Sequence, residues 1–141
     1  MTFDEFDQTI DGGWRAIAKR GDYAGAAAAI IDYLQTELEL EDGQRRMLHF
    51  HAAQMYAFAG EVTEALEHLP FTIEPEEPNP NPVRWNDYVA ATVAFLQGDL
   101  SGLTAARERI AQGPAWEGEI PNLNVVDRLI ANFGKPYPKA Y

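Results

Sequence analysis

A three-residue pattern, glycine followed by an acidic and then an apolar residue, occurs three times in this chain of 141 residues. The glycines are Gly21, Gly60 and Gly98, so the separations are 39 and 38 residues. Glycine can adopt the left-handed conformation in which many helices end, and an acidic residue is favoured at the start of the next helix. The pattern therefore predicts three helical hairpins at a near-constant period, which is typical of a repeat array.

The residues that flank these turns have the spacing of amphipathic helices. After Gly60, the apolar residues that follow this spacing are Val62, Ala65, Leu66 and Leu69. In the first hairpin the same spacing predicts that Ile10 and Leu38 face the core. Gly12 and Gly13 predict a break or kink in the first helix, and Thr2 and Glu5 have the spacing of a capping box at its start.

Further positions recur at fixed distances from the turns. Counted from Gly60 there is an aromatic residue four positions earlier, small residues seven and eight positions earlier, and an alanine five positions later: Tyr56, Ala53, Ala52 and Ala65. The first turn shares part of this pattern through Gly21, Asp22, Tyr23 and Ala26. The third turn shares it through Gly98, Asp99, Ala90 and Ala91, but it has Leu103 where alanine is usual. The pattern resembles the tetratricopeptide repeat family, although the closing proline is missing and the period exceeds about 34 residues. A looser helical-hairpin solenoid is the alternative.

The resemblance implies an all-α fold, a right-handed superhelical array of about three helix-turn-helix hairpins with a C-terminal capping helix. We predict one domain, 1-141, with hairpins at 3-40, 44-69 and 84-112, a C-terminal capping helix at 122-133 and a tail at 134-141. Asn122 is the predicted N-cap residue of the C-terminal helix. Pro70 to Arg84 holds five of the nine prolines and is predicted to run extended over the surface. The tail either packs back on the domain or stays free.

Composition and charge exclude several classes of function. The net charge of -11 repels phosphate backbones and anionic membranes, so we expect neither nucleic acid nor membrane as a partner, and a strongly charged partner would be basic. No apolar run approaches the ~20 residues that cross a bilayer, and the acidic start is unlike a signal peptide. Together with the absence of cysteine, this predicts a cytoplasmic protein. The oligomeric state is left open.

The sequence contains no motif that indicates catalysis. Ser101, the one serine, falls at a predicted helix start where capping explains it, and the glycines form no nucleotide-binding fingerprint. His49 and His51 are two residues apart, so on a helix they point about 200° apart and cannot chelate one metal ion, while His68 lies on another helix. We therefore predict a non-enzymatic protein with no catalytic residue, no metal and no cofactor.

In the tetratricopeptide family the first helix of each hairpin lines a concave groove, and the resemblance carries these positions onto three sets of residues. They are Gln8, Asp11, Arg15, Ala18 and Lys19, then Met47, Phe50, Gln54, Ala57 and Phe58, then Trp85, Tyr88, Thr92, Phe95 and Leu96. Because the last two sets are apolar, we expect a binding groove. Its predicted anchors are Phe50, Phe58, Trp85 and Tyr88, and its predicted polar specifiers are Arg15 and Gln54. The alternative is that the C-terminal helix or the tail fills the groove.

Three functions remain open at this point. The first is a protein-interaction module whose aromatic groove binds a peptide or a partner helix. The second is an acidic inhibitor or immunity-type protein that masks a basic partner through its charged outer face. The third is small-ligand binding in an enclosed aromatic pocket.

Overall fold

A computed structural model describes residues 1–77 and 83–141, which form two compact units, Met1–Thr72 and Ile73–Tyr141. We call them the N-terminal unit and the C-terminal unit. The regular elements of the described residues are helical, which confirms the predicted all-α class. The boundary between the units falls inside the predicted proline-rich connection, and the part of that prediction on residues 78–82 lies outside the described residues.

The N-terminal unit begins with a π-helical turn, Asp4–Gln8. The helices that follow are α1 (Gly13–Lys19), α2 (Tyr23–Thr36), α3 (Asp42–Phe58) and α4 (Val62–His68), and a 3-10 turn, Leu69–Thr72, ends the unit. Helix α2 packs against α1 and α3, while α3 also packs against α4 and the 3-10 turn. The large aliphatic side chains Ile30, Leu48 and Leu69 are fully buried.

The C-terminal unit is built on one hairpin, α5 (Trp85–Gln97) and α6 (Leu100–Ala111). Helix α7 (Leu123–Ala131) packs against both of these helices, and the short helix α8 (Tyr137–Ala140) packs against α7. The largest fully buried aliphatic side chains among its described residues are Val89, Leu103, Ile110, Val126 and Leu129. A single antiparallel bridge joins Trp116 to Glu119 in the loop before α7.

The three predicted turns share one backbone geometry. Gly21, Gly60 and Gly98 have φ angles of 84°, 83° and 72°, in the left-handed region that glycine adopts without steric cost. In the last two turns the amide of the following acidic residue donates to a carbonyl five residues earlier, at 2.8 Å. This bond is the mark of a Schellman motif, in which a left-handed residue ends the helix. The predicted hairpin turns are therefore confirmed.

The first and third turns also share a side-chain cap that the second lacks. Asp22 and Asp99 each accept a hydrogen bond, at 2.9 Å, from the backbone amide three residues later. The residues at those amides are Gly25 and Gly102, where a Cβ atom would lie 2.1 and 2.4 Å from the capping carboxylate. The glycine at this position therefore leaves room for the aspartate, which caps the helix start as short polar side chains do.

The two predictions for the start of the chain are also confirmed. The Thr2 amide donates to Glu5 at 2.8 Å and the Glu5 amide to the Thr2 hydroxyl at 3.2 Å, which completes the capping box. At the predicted break, Gly12 is extended and Gly13 has a φ of 52°. A Cβ atom on Gly13 would lie 2.0 Å from the Phe6 carbonyl oxygen, so the π-helical turn and α1 approach closely only with glycine there.

Four local predictions were wrong. Ile10 and Leu38 are 81% and 82% exposed, because the helical segments end before them, at Gln8 and Thr36. Asn122 has a φ of 67° and its side chain makes no cap hydrogen bond to α7. The start of the proline-rich stretch is a 3-10 turn and not extended, since proline is compatible with the first turn of a helix.

Candidate functional site

Four of the six predicted groove residues lie in the N-terminal unit. Arg15 is on α1, while Phe50, Gln54 and Phe58 are spaced four residues apart on α3. Phe50 is only 3% exposed, whereas Gln54 is half-buried. The half-buried ring of Phe58 stacks on Tyr23 with a centroid distance of 5.3 Å. Phe50 is thus an interior residue, and the other three residues remain partly accessible.

The other two predicted residues, Trp85 and Tyr88, are neighbours on α5 of the C-terminal unit. Their rings meet edge to face, with centroids 6.0 Å apart. Trp85 is half-buried and Tyr88 is 5% exposed. Burial raises the pKa of Tyr88 far above its ordinary value, and the nearby Tyr137 and Tyr141 raise it further.

The chain's own C-terminal segment covers this part of α5. Phe95 contacts the rings of Phe133 and Tyr137, with centroids 6.1 and 6.0 Å apart. Tyr137 is 3% exposed, and the Tyr141 carbonyl accepts a hydrogen bond from Arg128 Nε at 2.6 Å. Of the two alternatives for the tail, the structure therefore shows the one in which it packs back, and this packing places Tyr88 inside the C-terminal unit.

A buried polar cluster of the N-terminal unit centres on Asp7, whose side chain is fully buried. Its Oδ1 accepts a hydrogen bond from Trp14 Nε1 at 2.8 Å and lies 2.7 Å from His51 Nδ1, and Gln8 donates to Oδ2. Burial alone would raise the pKa of Asp7, but the hydrogen bond and charge of His51 and the bond from Trp14 outweigh it, so the pKa is lowered. The carboxylate is therefore a charged structural centre.

Arg15, a predicted polar specifier, belongs to the same cluster. Its Nε donates to the backbone carbonyl of Asp7 at 2.6 Å, and its guanidinium lies 4.4 Å above the centroid of the Trp14 ring. These contacts join α1 to the π-helical turn. Arg15 therefore has a structural role, whatever it contacts outside the unit.

A second cluster joins α3, α4 and the 3-10 turn through two histidines. His49 Nδ1 and His68 Nδ1 are 3.1 Å apart, Phe71 stacks on His49 and Tyr56 stacks on His68. Burial lowers the pKa of His49 from 6.5 to about 4, assisted by the charges of His68 and Arg45. Burial also lowers the pKa of His68, although Glu67 opposes it. Both imidazoles are therefore neutral at pH 7.

The sequence provided no signal for either cluster. Asp7 and His51 are 44 residues apart, and His49 and His68 are 19 residues apart on different helices. The helical spacing correctly separated His49 from His51, but pairing each with a distant residue requires the packed helices. Periodicity describes one helix at a time and carries no information on which faces meet.

The N-terminal unit also has a partly open cavity of about 340 Å³ near the chain start. It is lined by Phe3, Tyr33, Leu40 and the carboxylates of Glu5, Glu37 and Glu39, among others. The lining includes none of the six predicted residues. It is therefore not the predicted groove.

The described residues contain no group of three or more histidine, aspartate or glutamate side chains placed to hold a metal ion. Within the same ranges, no helix has both the length and the apolar character needed to cross a membrane.

Charge is distributed unequally between the two units. The N-terminal unit has 13 acidic and 5 basic side chains, a net charge of -8, whereas the C-terminal unit has 9 and 6, a net charge of -3. In the C-terminal unit Asp87 is paired with Arg84 and Arg109, and Arg107 is paired with Asp127. Most of the acidic excess therefore belongs to the N-terminal unit.

No protein-family model, curated protein or solved structure matches the chain. The resemblance to tetratricopeptide repeats therefore stays a prediction, as does the groove.

Proposed function

We propose that this protein is a non-enzymatic, cytoplasmic interaction module, a tetratricopeptide-like right-handed array of helical hairpins that binds a peptide or a partner helix. The observation that carries the proposal is the recurrence of one turn geometry at Gly21, Gly60 and Gly98. Repeated helical hairpins form extended surfaces that bind other proteins.

The predicted groove residues have two roles in this proposal. Arg15, Gln54, Phe58 and Trp85 are partly exposed and contact the partner. Phe50 and Tyr88 are buried, each in its own unit, and support α3 and α5 from the interior.

The packing of the C-terminal segment within its own unit supports this proposal by analogy. The short helix α8 places the ring of Tyr137 against Phe95 of α5, the first helix of its hairpin. A first helix of this chain thus accommodates an aromatic side chain from a short helix. A partner would present the same kind of segment, an aromatic anchor on one or two helical turns.

Selection from a displayed library of short helical peptides tests the proposal. Binding of the selected peptides to the full chain is measured by fluorescence anisotropy for Phe58→Ala and Trp85→Ala separately, with Trp116→Ala as the matched control because Trp116 is 74% exposed. We expect each groove variant to lose about tenfold or more in affinity, as interface anchors do, and the control to bind normally. Equal affinities for all three variants would contradict the proposal.

The net charge of -8 on the N-terminal unit favours a second candidate, an acidic protein that masks a basic partner. Helix α4 and the turn before it present the exposed side chains Glu61, Glu64 and Glu67. Their joint replacement by glutamine would then weaken binding to a basic partner and reduce its salt dependence, whereas the matched set Glu108, Glu117 and Glu119 of the C-terminal unit would have little effect. Binding that is independent of salt would remove this candidate.

A further inference from the structure

We propose that His49 and His68 form a proton-controlled contact that holds the end of α4 and the 3-10 turn on α3, and that releases them when the pair takes up protons. The two Nδ1 atoms are 3.1 Å apart, the distance of an N–H···N hydrogen bond. The ring centroids are 5.4 Å apart, close to the largest separation that such a contact between ring nitrogens allows. The rings therefore meet edge to edge, with the two nitrogens facing each other.

This geometry leaves room for only one hydrogen atom between the two Nδ1 atoms. One Nδ1 must carry the hydrogen and donate it, while the other must offer its lone pair. The pair therefore consists of one imidazole protonated at Nδ1 and one protonated at Nε2. If both imidazoles become charged, two N–H groups and two positive charges face each other, and the contact cannot persist.

The same geometry disfavours a metal ion at the pair. Two histidine nitrogens that bind one ion lie at about 2.0–2.1 Å from it, with their lone pairs converging at an angle. Here the nitrogens face each other along the line between the ring centroids, which leaves no position where both lone pairs converge.

A charged group on α3 opposes protonation of the pair, whereas a carboxylate on α4 favours it. On α3, Arg45 disfavours a charge on His49, and Tyr56 packs on His68. On α4, the exposed Glu67 favours a charge on His68. The 3-10 turn adds Phe71, which does not titrate, and no group of α2 is among those that act on either imidazole.

The direction of the pH response follows from these surroundings. In the closed contact the pKa of His49 is lowered from 6.5 to about 4, and that of His68 is lowered as well, so release takes up protons. The contact has its full strength above pH 6.5 and weakens as the pH falls from 6.5 towards 4. Each proton taken up changes the ratio of released to closed forms by about tenfold per pH unit in this window.

The tautomers can be measured on the unchanged protein by long-range ¹H–¹⁵N NMR of the histidine rings at pH 7.5. We expect one of the two histidines to carry its hydrogen on Nδ1 and the other on Nε2. Finding both hydrogens on Nε2 would overturn the proposal. So would a joint shift of both Nδ1 signals on addition of micromolar Zn²⁺, because that result would assign the pair to a metal ion.

Amide hydrogen exchange then measures the release of α4 and the 3-10 turn from α3. The exchange rates of these two elements are followed between pH 7.5 and 5 and are corrected for intrinsic exchange. His68→Phe, which keeps a ring against Tyr56, should reduce the pH dependence of opening by about one proton, or tenfold per pH unit. Glu64→Gln, which removes an exposed carboxylate of α4 that is not among the groups acting on either imidazole, is the matched control and should retain the wild-type slope. An unchanged slope in His68→Phe would show that the pair does not control release.

Discussion

The two units of the chain differ in what lies at their interiors. The N-terminal unit buries an ionised carboxylate, Asp7, and joins α3 to α4 through a pair of half-buried, neutral histidines. The C-terminal unit instead buries mainly aliphatic and aromatic side chains, and its ion pair of Arg107 with Asp127 lies at the surface. Buried polar groups depend on every partner, whereas exposed pairs contribute little. We therefore expect the N-terminal unit to be the more sensitive to pH and to the loss of one side chain.

The largest expected effect comes from removing one buried carboxylate. Asp7→Ala leaves Trp14 Nε1 and His51 without their buried acceptor, which should lower the free energy of unfolding by about 3 kcal/mol or more. Asp127→Ala, which removes an exposed carboxylate from Arg107, should have almost no effect. Residue-resolved hydrogen exchange of both variants makes the comparison, and similar losses in the two would refute the distinction between the units.

A smaller effect is expected from mild acid on the N-terminal unit. Because the pKa of His49 is about 4 in the folded chain and 6.5 in the unfolded chain, its contribution is complete above pH 6.5 and is lost as the pH falls to about 4. Since His49 is only half-buried, we expect a loss of about 1–2 kcal/mol. The pKa of Asp7 is lowered below its ordinary 3.8, so its contribution is lost only in stronger acid.

The C-terminal unit contains no histidine, so exchange in α5 should serve as the internal reference for this acid titration. If α5 and α4 lost protection in parallel between pH 6.5 and 4, the histidine pair would not be the cause.

At alkaline pH we expect the C-terminal unit, and not the N-terminal unit, to be the more sensitive. The pKa of Tyr88 is raised above 10 in the folded chain, so its contribution is complete below pH 10 and is lost as the pH rises further. The expected loss for the C-terminal unit is about 1 kcal/mol for each pH unit above 10. Tyr88→Phe keeps the ring but has no hydroxyl to ionise, so it should remove this alkaline loss of stability. Urea unfolding at pH 8 and pH 11 would measure the difference. The idea fails if the variant is as sensitive to alkali as the wild type.

The smallest effect should be equal in the two units. Among the described residues, no atom beyond the chain neighbours of each glycine lies within 4 Å of a Cβ placed on Gly60 or Gly98, so alanine there introduces only left-handed backbone strain. Each substitution should cost about 1 kcal/mol, measured as the shift of the urea midpoint. Gly13→Ala is the contrasting variant, because its Cβ would also collide with the Phe6 carbonyl. Equal costs for Gly13→Ala and Gly60→Ala would argue against this close approach.

The burial of the candidate-site residues could not be predicted from the spacing within single helices. Helical spacing places Phe50 and Phe58 on α3, but it does not distinguish the interior position of Phe50 from the partly accessible one of Phe58. Tyr88 is buried because a segment about fifty residues later in the chain packs over α5, a contact between elements that no local pattern encodes.

The sequence alone determined the all-α class, the three glycine turns, the capping box of Thr2 with Glu5 and the break at Gly12, because each depends on the chemistry of a few neighbouring residues. Only the tertiary structure decided that Asp7 meets His51 and that His49 meets His68. These contacts depend on which faces of distant helices pack together, and packing is determined by the shapes and volumes of whole elements and not by the period of any one of them.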